Sequence, residues 1–134
     1  MTFKELYQYK DLIQEICDEE KRLRDLDDQL TALKSPSMEF SGLSSASIST
    51  RREYLIDKMD SIKKVIEERK ARCEEERLKI EKFIAGIEDS YTRRIFTYRF
   101  IEHYSWNKVA MKVSGGISTG DAVRMICIRF LQNH

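Results

Sequence analysis

Residues 55–87 read LIDKMDSIKKVIEERKARCEEERLKIEKFIAGI, and this stretch decides the fold. Within it Leu55, Met59, Ile62, Ile66, Arg69, Cys73, Glu76, Ile80, Phe83 and Ile87 follow one another at alternating intervals of 4 and 3 without a slip. An average interval of 3.5 lays one stripe of side chains along a helix that pairs with a neighbour. Arg69 and Glu76 are the polar interruptions, placed to set the register of that pairing. No proline falls inside the stretch, and Gly86 comes only in its last turn. At 1.5 Å of rise per residue the stripe extends roughly 48 Å. An apolar stripe of that length needs another helix to cover it.

Composition agrees with long helices. In 134 residues, 35% are charged, glycine occurs five times and proline once, a profile that argues against a sandwich or barrel. Cys17, Cys73 and Cys127 are odd in number, far apart and not in CxxC spacing. With only His103 and His134 beside them, neither a metal site nor a disulfide framework is expected. No apolar run approaches membrane-spanning length, and the first residues lack the apolar centre of a signal peptide. The expectation is a cytoplasmic protein with no membrane contact.

Charge is unevenly spread. Residues 1–50 hold 6 Lys/Arg against 10 Asp/Glu, residues 51–90 hold 11 of each, and residues 91–134 hold 7 against 2. An acidic arm, a neutral middle and a basic end point to different partners for the two ends. The basic end is the one suited to nucleic acid.

Outward from the central stretch the chain divides into four segments. Residues 1–34 form an N-terminal helix: Tyr9, Ile13, Ile16, Leu23, Leu26, Leu30 and Leu33 keep 3–4 spacing, with a break near Glu19 and Glu20. Ser35-Pro36 ends it, since the residue before proline is biased away from the helical region. Residues 35–50 are a serine-rich linker carrying apolar Met38, Phe40, Leu43 and Ile48. Thr50 or Ser49 is expected to cap the central helix, 51–88, with Glu53 completing a capping box from Thr50. Dense mixed charge on that helix reads as a solvated face laced with i, i+4 pairs. The two long helices are expected to cover each other as an antiparallel hairpin, a coiled-coil-like stalk. Pairing with a second chain through Leu55, Met59, Ile62, Ile66, Arg69, Glu76 and Ile80 is the alternative that the pattern leaves open.

Residues 89–134 change character. Glu88-Asp89-Ser90 marks a break, after which Tyr91, Phe96, Tyr98, Phe100, Tyr104, Trp106 and Phe130 bring aromatics into a short span. A helix is expected over 91–103, then a short one over 106–113 capped by Ser105. Gly115-Gly116 turns the chain through the left-handed region. A last helix capped by Ser118 or Thr119 buries Val123, Ile126 or Cys127, and Phe130. Helix, glycine turn and capped helix, with small Ala110 where two helices cross, is the arithmetic of a helix-turn-helix. Trp106 reads as a core anchor. The fold class is therefore all-α: a long helical hairpin followed by a small C-terminal helix-turn-helix.

The local sequence goes further. Tyr98-Arg-Phe-Ile-Glu-His-Tyr-Ser-Trp-Asn-Lys-Val-Ala, followed after a turn by Ala122-Val-Arg and Arg129-Phe-Leu, resembles region four of the sigma-70 family. Two long helices and a serine-rich linker ahead of it make the whole similar to small phage and prophage late-operon transcriptional regulators, of the ArpU and RinA kind. Residue matches cover only about 91–131, and the turn over Ser114–Thr119 holds about three more residues than sigma-like turns do. The last helix is expected to turn Gly120, Asp121, Arg124, Met125 and Ile128 outward, with Arg129 nearer the edge. One Arg among an acid and two apolar residues is a thin face for reading DNA.

The resemblance implies binding of double-stranded DNA. Arg124 would read a base edge, a bidentate contact worth about 1–3 kcal/mol of discrimination. Ser118 and Thr119 at the start of the last helix, and Arg129 nearer the edge, complete the DNA-binding set. Met125 and Ile128 would touch thymine methyl groups or, failing that, a protein. Lys108, Lys112, Arg93, Arg94 and Arg99 would meet phosphates. It also implies that the stalk dimerises or holds a partner such as host RNA polymerase. Two other classes stay open: a small-terminase-like packaging protein, and an interaction module that no longer binds DNA. No nucleophile–base pair, phosphate-cradling glycine loop or carboxylate dyad can be assembled, so an enzyme is not expected, nor a cofactor.

Overall fold

The first helix is set by the residue before it. Thr2 Oγ1 accepts the Glu5 amide at 3.2 Å while Glu5 Oε2 accepts the Thr2 amide at 2.7 Å, a reciprocal capping box. Those bonds hold the Glu5 carboxyl below its ordinary value. The helix they start, α1, runs Phe3–Leu33. In the computed structural model, which describes residues 1–33 and 44–134, it is followed by α2 (Ser45–Ala85), α3 (Ser90–Phe96), a π-helical stretch (Thr97–Ile101), α4 (Trp106–Ser114) and α5 (Gly120–Asn133). Among the described residues the protein is all-helical, and none lies in a strand.

The start of α2 differs from the expected cap at Thr50. Ser44 Oγ accepts the Ser47 amide at 3.1 Å and its carbonyl accepts the Ile48 amide at 3.0 Å. The helix therefore begins six residues earlier, at Ser45. Serine is only mildly unfavourable inside a helix and is favoured at its cap. Ser44 can thus nucleate a turn that Thr50 then merely continues. The end of the expected linker is helical for this reason, and Met38, Phe40 and Leu43 lie outside the described residues.

The chain divides into two compact units, residues 13–72 and residues 1–12 with 73–134. In the first, Leu55, Met59, Ile62 and Ile66 of the heptad stripe are buried, as is Ile16 of α1. Arg69 Nε meets Glu15 Oε2 at 2.9 Å, Lys70 Nζ meets Glu20 Oε1 at 3.9 Å, and Arg51 Nη2 donates to Gln29 Oε1 at 3.1 Å. Exposed pairs of this kind contribute little individually, yet they fix which residues face each other. Arg69 thus makes a cross-helix pair, whereas Glu76, in the other unit, takes only its own-helix neighbour Lys79 at 3.3 Å.

The second unit is larger than the expected 89–134 segment, because the first turns of α1 and the end of α2 share its core. Phe96 and Phe100 are at its centre, 0% and 2% exposed. Their ring centroids stand 5.5 Å apart. Phe83 and Phe130 meet Phe96 edge-on at 5.9 and 5.4 Å. Phe3, Tyr7 and Trp106 surround Phe100 at 5.9 to 6.1 Å. Tilted and edge-on contacts match the quadrupoles of the rings. Leu6, Tyr9, Leu12, Ile80, Ile84, Ile87 and Ile95 complete the apolar interior.

Asp89 starts α3: its Oδ2 accepts the Thr92 amide at 3.0 Å and the Thr92 hydroxyl at 2.7 Å, which hold this carboxyl below its usual range. The expected single helix over 91–103 widens after Phe96. The Glu102 amide reaches back to the Thr97 carbonyl at 3.1 Å, and the Tyr104 amide to that of Tyr98 at 3.0 Å. His103 closes the turn in the left-handed region, with φ 58°, a conformation that histidine enters more readily than most residues.

Candidate nucleic-acid interface

Ser105 caps α4 by accepting the Lys108 amide at 3.2 Å, as its residue type leads one to expect. The helix ends at Gly115, φ 64°, whose amide bonds the Met111 carbonyl at 3.0 Å, and Gly116 follows at φ 94°. These two positive angles explain the glycine pair. Ser114 then bridges the turn, donating to the Ala110 carbonyl at 2.6 Å and accepting the Ser118 amide at 3.0 Å. Of the two candidate caps, Thr119 takes the role, its Oγ1 accepting the Ala122 amide at 3.1 Å.

Between α4 and α5 the interior is made by Val109, Ala110, Val123 and Cys127, each no more than 3% exposed. Burial pushes the Cys127 thiol up to about 12, so it is a packing residue and not a nucleophile. Gly120, expected to face outward, is buried instead. A Cβ there would strike the Asn107 side-chain oxygen and come within 3.0 Å of the Asn107 amide nitrogen. The outward reading placed Gly120 by helical period alone, but α5 opens against the first turn of α4. Asn107 is thereby a site residue that the sequence did not mark.

The expected contact residues fall into three groups. On α5, Arg124, Met125 and Arg129 are exposed and Ile128 is half-buried; Ser118 and Thr119 are engaged in the turn and cap. On α3, the π stretch and α4, Arg94, Lys108 and Lys112 are exposed. Arg94 Nη2 donates to the Lys112 carbonyl at 3.1 Å and its guanidinium lies 6.0 Å from the Tyr98 ring centroid. Tyr98 stacks on Tyr104 at 5.8 Å and 11°, and Lys108 Nζ stands 3.9 Å over Tyr104. Arg94, Tyr98, Tyr104 and Lys108 therefore form one continuous strip of cations and rings. The tyrosines were legible in principle: 94 and 98, and 104 and 108, stand at i, i+4.

The third group is turned inward. Arg93 donates to the Ile87 carbonyl at 2.7 Å and to Ser90 Oγ at 2.9 Å. Arg99 donates to the Tyr104 carbonyl at 2.9 Å and the Tyr7 hydroxyl at 3.2 Å, with its guanidinium 4.5 Å over Trp106. These two arginines serve the fold before any ligand, and Trp106 is half-buried beneath Arg99 and against Phe100. Among the described residues, none of Arg93, Arg94, Arg99, Lys108, Lys112, Arg124 and Arg129 is paired with a carboxylate; the ion pairs all lie within residues 1–81. The +5 balance of residues 91–134 is thus uncompensated locally.

Among the described residues there is no cluster of three or more metal-ligating side chains, and no helix is long and apolar enough to cross a membrane. No family model matches the chain, and neither a curated protein nor a solved structure does.

Proposed function

We propose that the protein is a DNA-binding transcriptional regulator of the phage type, in which α4, the glycine turn and α5 act as a helix-turn-helix on double-stranded promoter DNA. The observation that carries this reading is the set of exposed, carboxylate-free cations around two helices held in close crossing at Gly120 and Asn107. Arg124, with Met125 and Ile128 beside it, would enter the major groove, and Arg129 would lie at its edge. Arg94, Lys108 and Lys112 would hold phosphates, positioning the chain without reading sequence. In a helix-turn-helix the first helix crosses the backbone, which suits the lysines of α4.

The same reading takes α1 and α2 as an antiparallel helical hairpin closed within one chain. Glu15 facing Arg69 and Gln29 facing Arg51 run in opposite sequence directions, and the burial of Leu55, Met59, Ile62 and Ile66 favours closure over pairing with a second copy. The stalk would then offer its acidic outer face, not its seam, to a protein such as RNA polymerase.

The test is fluorescence anisotropy of the purified chain on duplex fragments of its own genomic neighbourhood across a salt series. Preferential binding to one fragment, falling steeply with salt and lost in Arg124→Ala/Arg129→Ala, is the expected outcome. Weak binding equal for all fragments would sink the reading. An interaction module is the second reading, favoured by the exposure of Met111, Ile117 and Met125 at 60%, 92% and 39%. A packaging protein would instead assemble as a closed ring in solution.

A further inference from the structure

Beside the basic strip, Ile84 and Ala85 at the end of α2, Arg93 and Arg94 of α3, and Thr97, Tyr98 and Ile101 of the π stretch line an open groove of about 420 Å³. Its floor is apolar. The extra residue of a π turn widens the helix at this point, and such bulges recur at functional sites. Glu81 also lines it, and its carboxylate is already engaged by Arg77 at 2.8 Å. Arg94 is different. Its Nη2 is fixed on the Lys112 carbonyl and its plane is held near Tyr98, while among the described residues Nε and Nη1 have no partner. A guanidinium fixed in this way donates to a carboxylate with little loss of freedom.

We propose that this groove docks an acidic amphipathic helix of a partner protein, whose apolar side chains fill the floor over Ile84, Ala85 and Ile101 and whose Asp or Glu pairs with Arg94. The commitment rests on charge: among the described residues the rim cation Arg94 has no carboxylate partner. A nucleic-acid backbone matches the rim but has no apolar group for the floor. A basic helix would match the floor and be repelled at the rim. The apolar floor is lined by residues outside α5, whereas Arg94 belongs also to the proposed phosphate-holding set, so the partner helix and DNA would compete for it. Anchors at i, i+3 or i+4 and i+7 are the usual reading frame of a helix in a groove.

The probe is a pair of synthetic 15-residue helical peptides with leucines at i, i+4 and i+7, flanked in one by glutamates and in the other by lysines, titrated into the full chain. Binding is followed by calorimetry and by amide shifts. The glutamate peptide should bind saturably and shift Thr97, Tyr98 and Ile101, and the lysine peptide should bind at least tenfold more weakly. Arg94→Ala and Ala85→Glu, both at exposed positions, should each weaken the glutamate peptide at least tenfold with unchanged far-UV circular dichroism. Equal binding of the two peptides, no saturable binding at millimolar peptide, or indifference to both substitutions would overturn the proposal.

Discussion

At His103 backbone conformation, burial and titration meet in one residue. Its backbone is left-handed, its ring lies 5.3 Å from that of the buried Tyr9, and among the described residues its buried Nε2 has no hydrogen-bond partner. Burial lowers its pKa from 6.5; Lys10, Arg99 and Arg77 push the same way, against Glu102. The neutral ring is thus preferred in the folded state. The stability this contributes is present above the unfolded value of 6.5 and is lost as pH falls through the lower folded value. Glu5 and Asp89, held below 4.5 and 3.8, release their contributions only in stronger acid. Urea midpoints should therefore drop between pH 7.5 and 5 in the wild type. His103→Asn, which keeps a residue tolerant of the left-handed region, should flatten that drop. Equal slopes in the two proteins would remove His103 as the acid-sensitive group.

Gly120 makes a sharper prediction at the same scale. Because a Cβ there collides with Asn107 of α4, Gly120→Ala should destabilise by about 1–3 kcal/mol through overpacking. This is the opposite of the gain that Gly→Ala gives in an open helix. A gain in urea midpoint would show that α5 does not open against α4.

Among the elements, α4, the turn and α5 were the most legible from sequence, because their signals are local. Ser105 and a Thr119 or Ser118 cap follow from hydrogen-bonding chemistry, and Gly115-Gly116 from the positive φ the turn requires. The heptad stripe was legible for the same reason: spacing alone says which side chains share a face. The start of α2 was not, since a serine run carries cap signals at several positions and Ser44 prevails over Thr50. Nor was the π stretch, whose extra residue has no composition of its own. The joining of residues 1–12 to the C-terminal helices was invisible because aromatic packing across long separations leaves no period in the sequence. The uneven charge was visible, but which arginines are turned inward was not: each of Arg93, Arg94 and Arg99 meets a carbonyl, and only the packed side chains show Arg94 exposed and the other two half-buried. Substituting the turn tests the element as a whole. Gly115→Ala should cost about 1–2 kcal/mol for the left-handed backbone, and Thr119→Ala about 1 kcal/mol for the lost cap. Chemical denaturation would give both values, and their additivity would show whether cap and turn act independently.

At the scale of the molecule, the question is whether the heptad seam closes on its own chain. Leu55, Met59, Ile62 and Ile66 are buried in the unit of residues 13–72, and Glu15–Arg69 and Gln29–Arg51 fix opposed directions. Closure within one chain is a unimolecular event, so its melting temperature is independent of concentration, whereas a seam shared by two chains gains stability by mass action. Thermal melts over a hundredfold range of protein concentration should superimpose, with a monomer mass by light scattering. Arg69→Ala should cost well under 1 kcal/mol, since the pair is exposed, and should leave the mass unchanged. If the melting temperature climbs with concentration, the seam is the dimer interface. On the proposed DNA-binding reading, each assembly would then present two α4–turn–α5 units with a spacing fixed by the dimer. A monomer has no such constraint and would need only one half-site. On the proposed DNA-binding reading, the concentration series therefore separates a single-site reader from a palindrome reader.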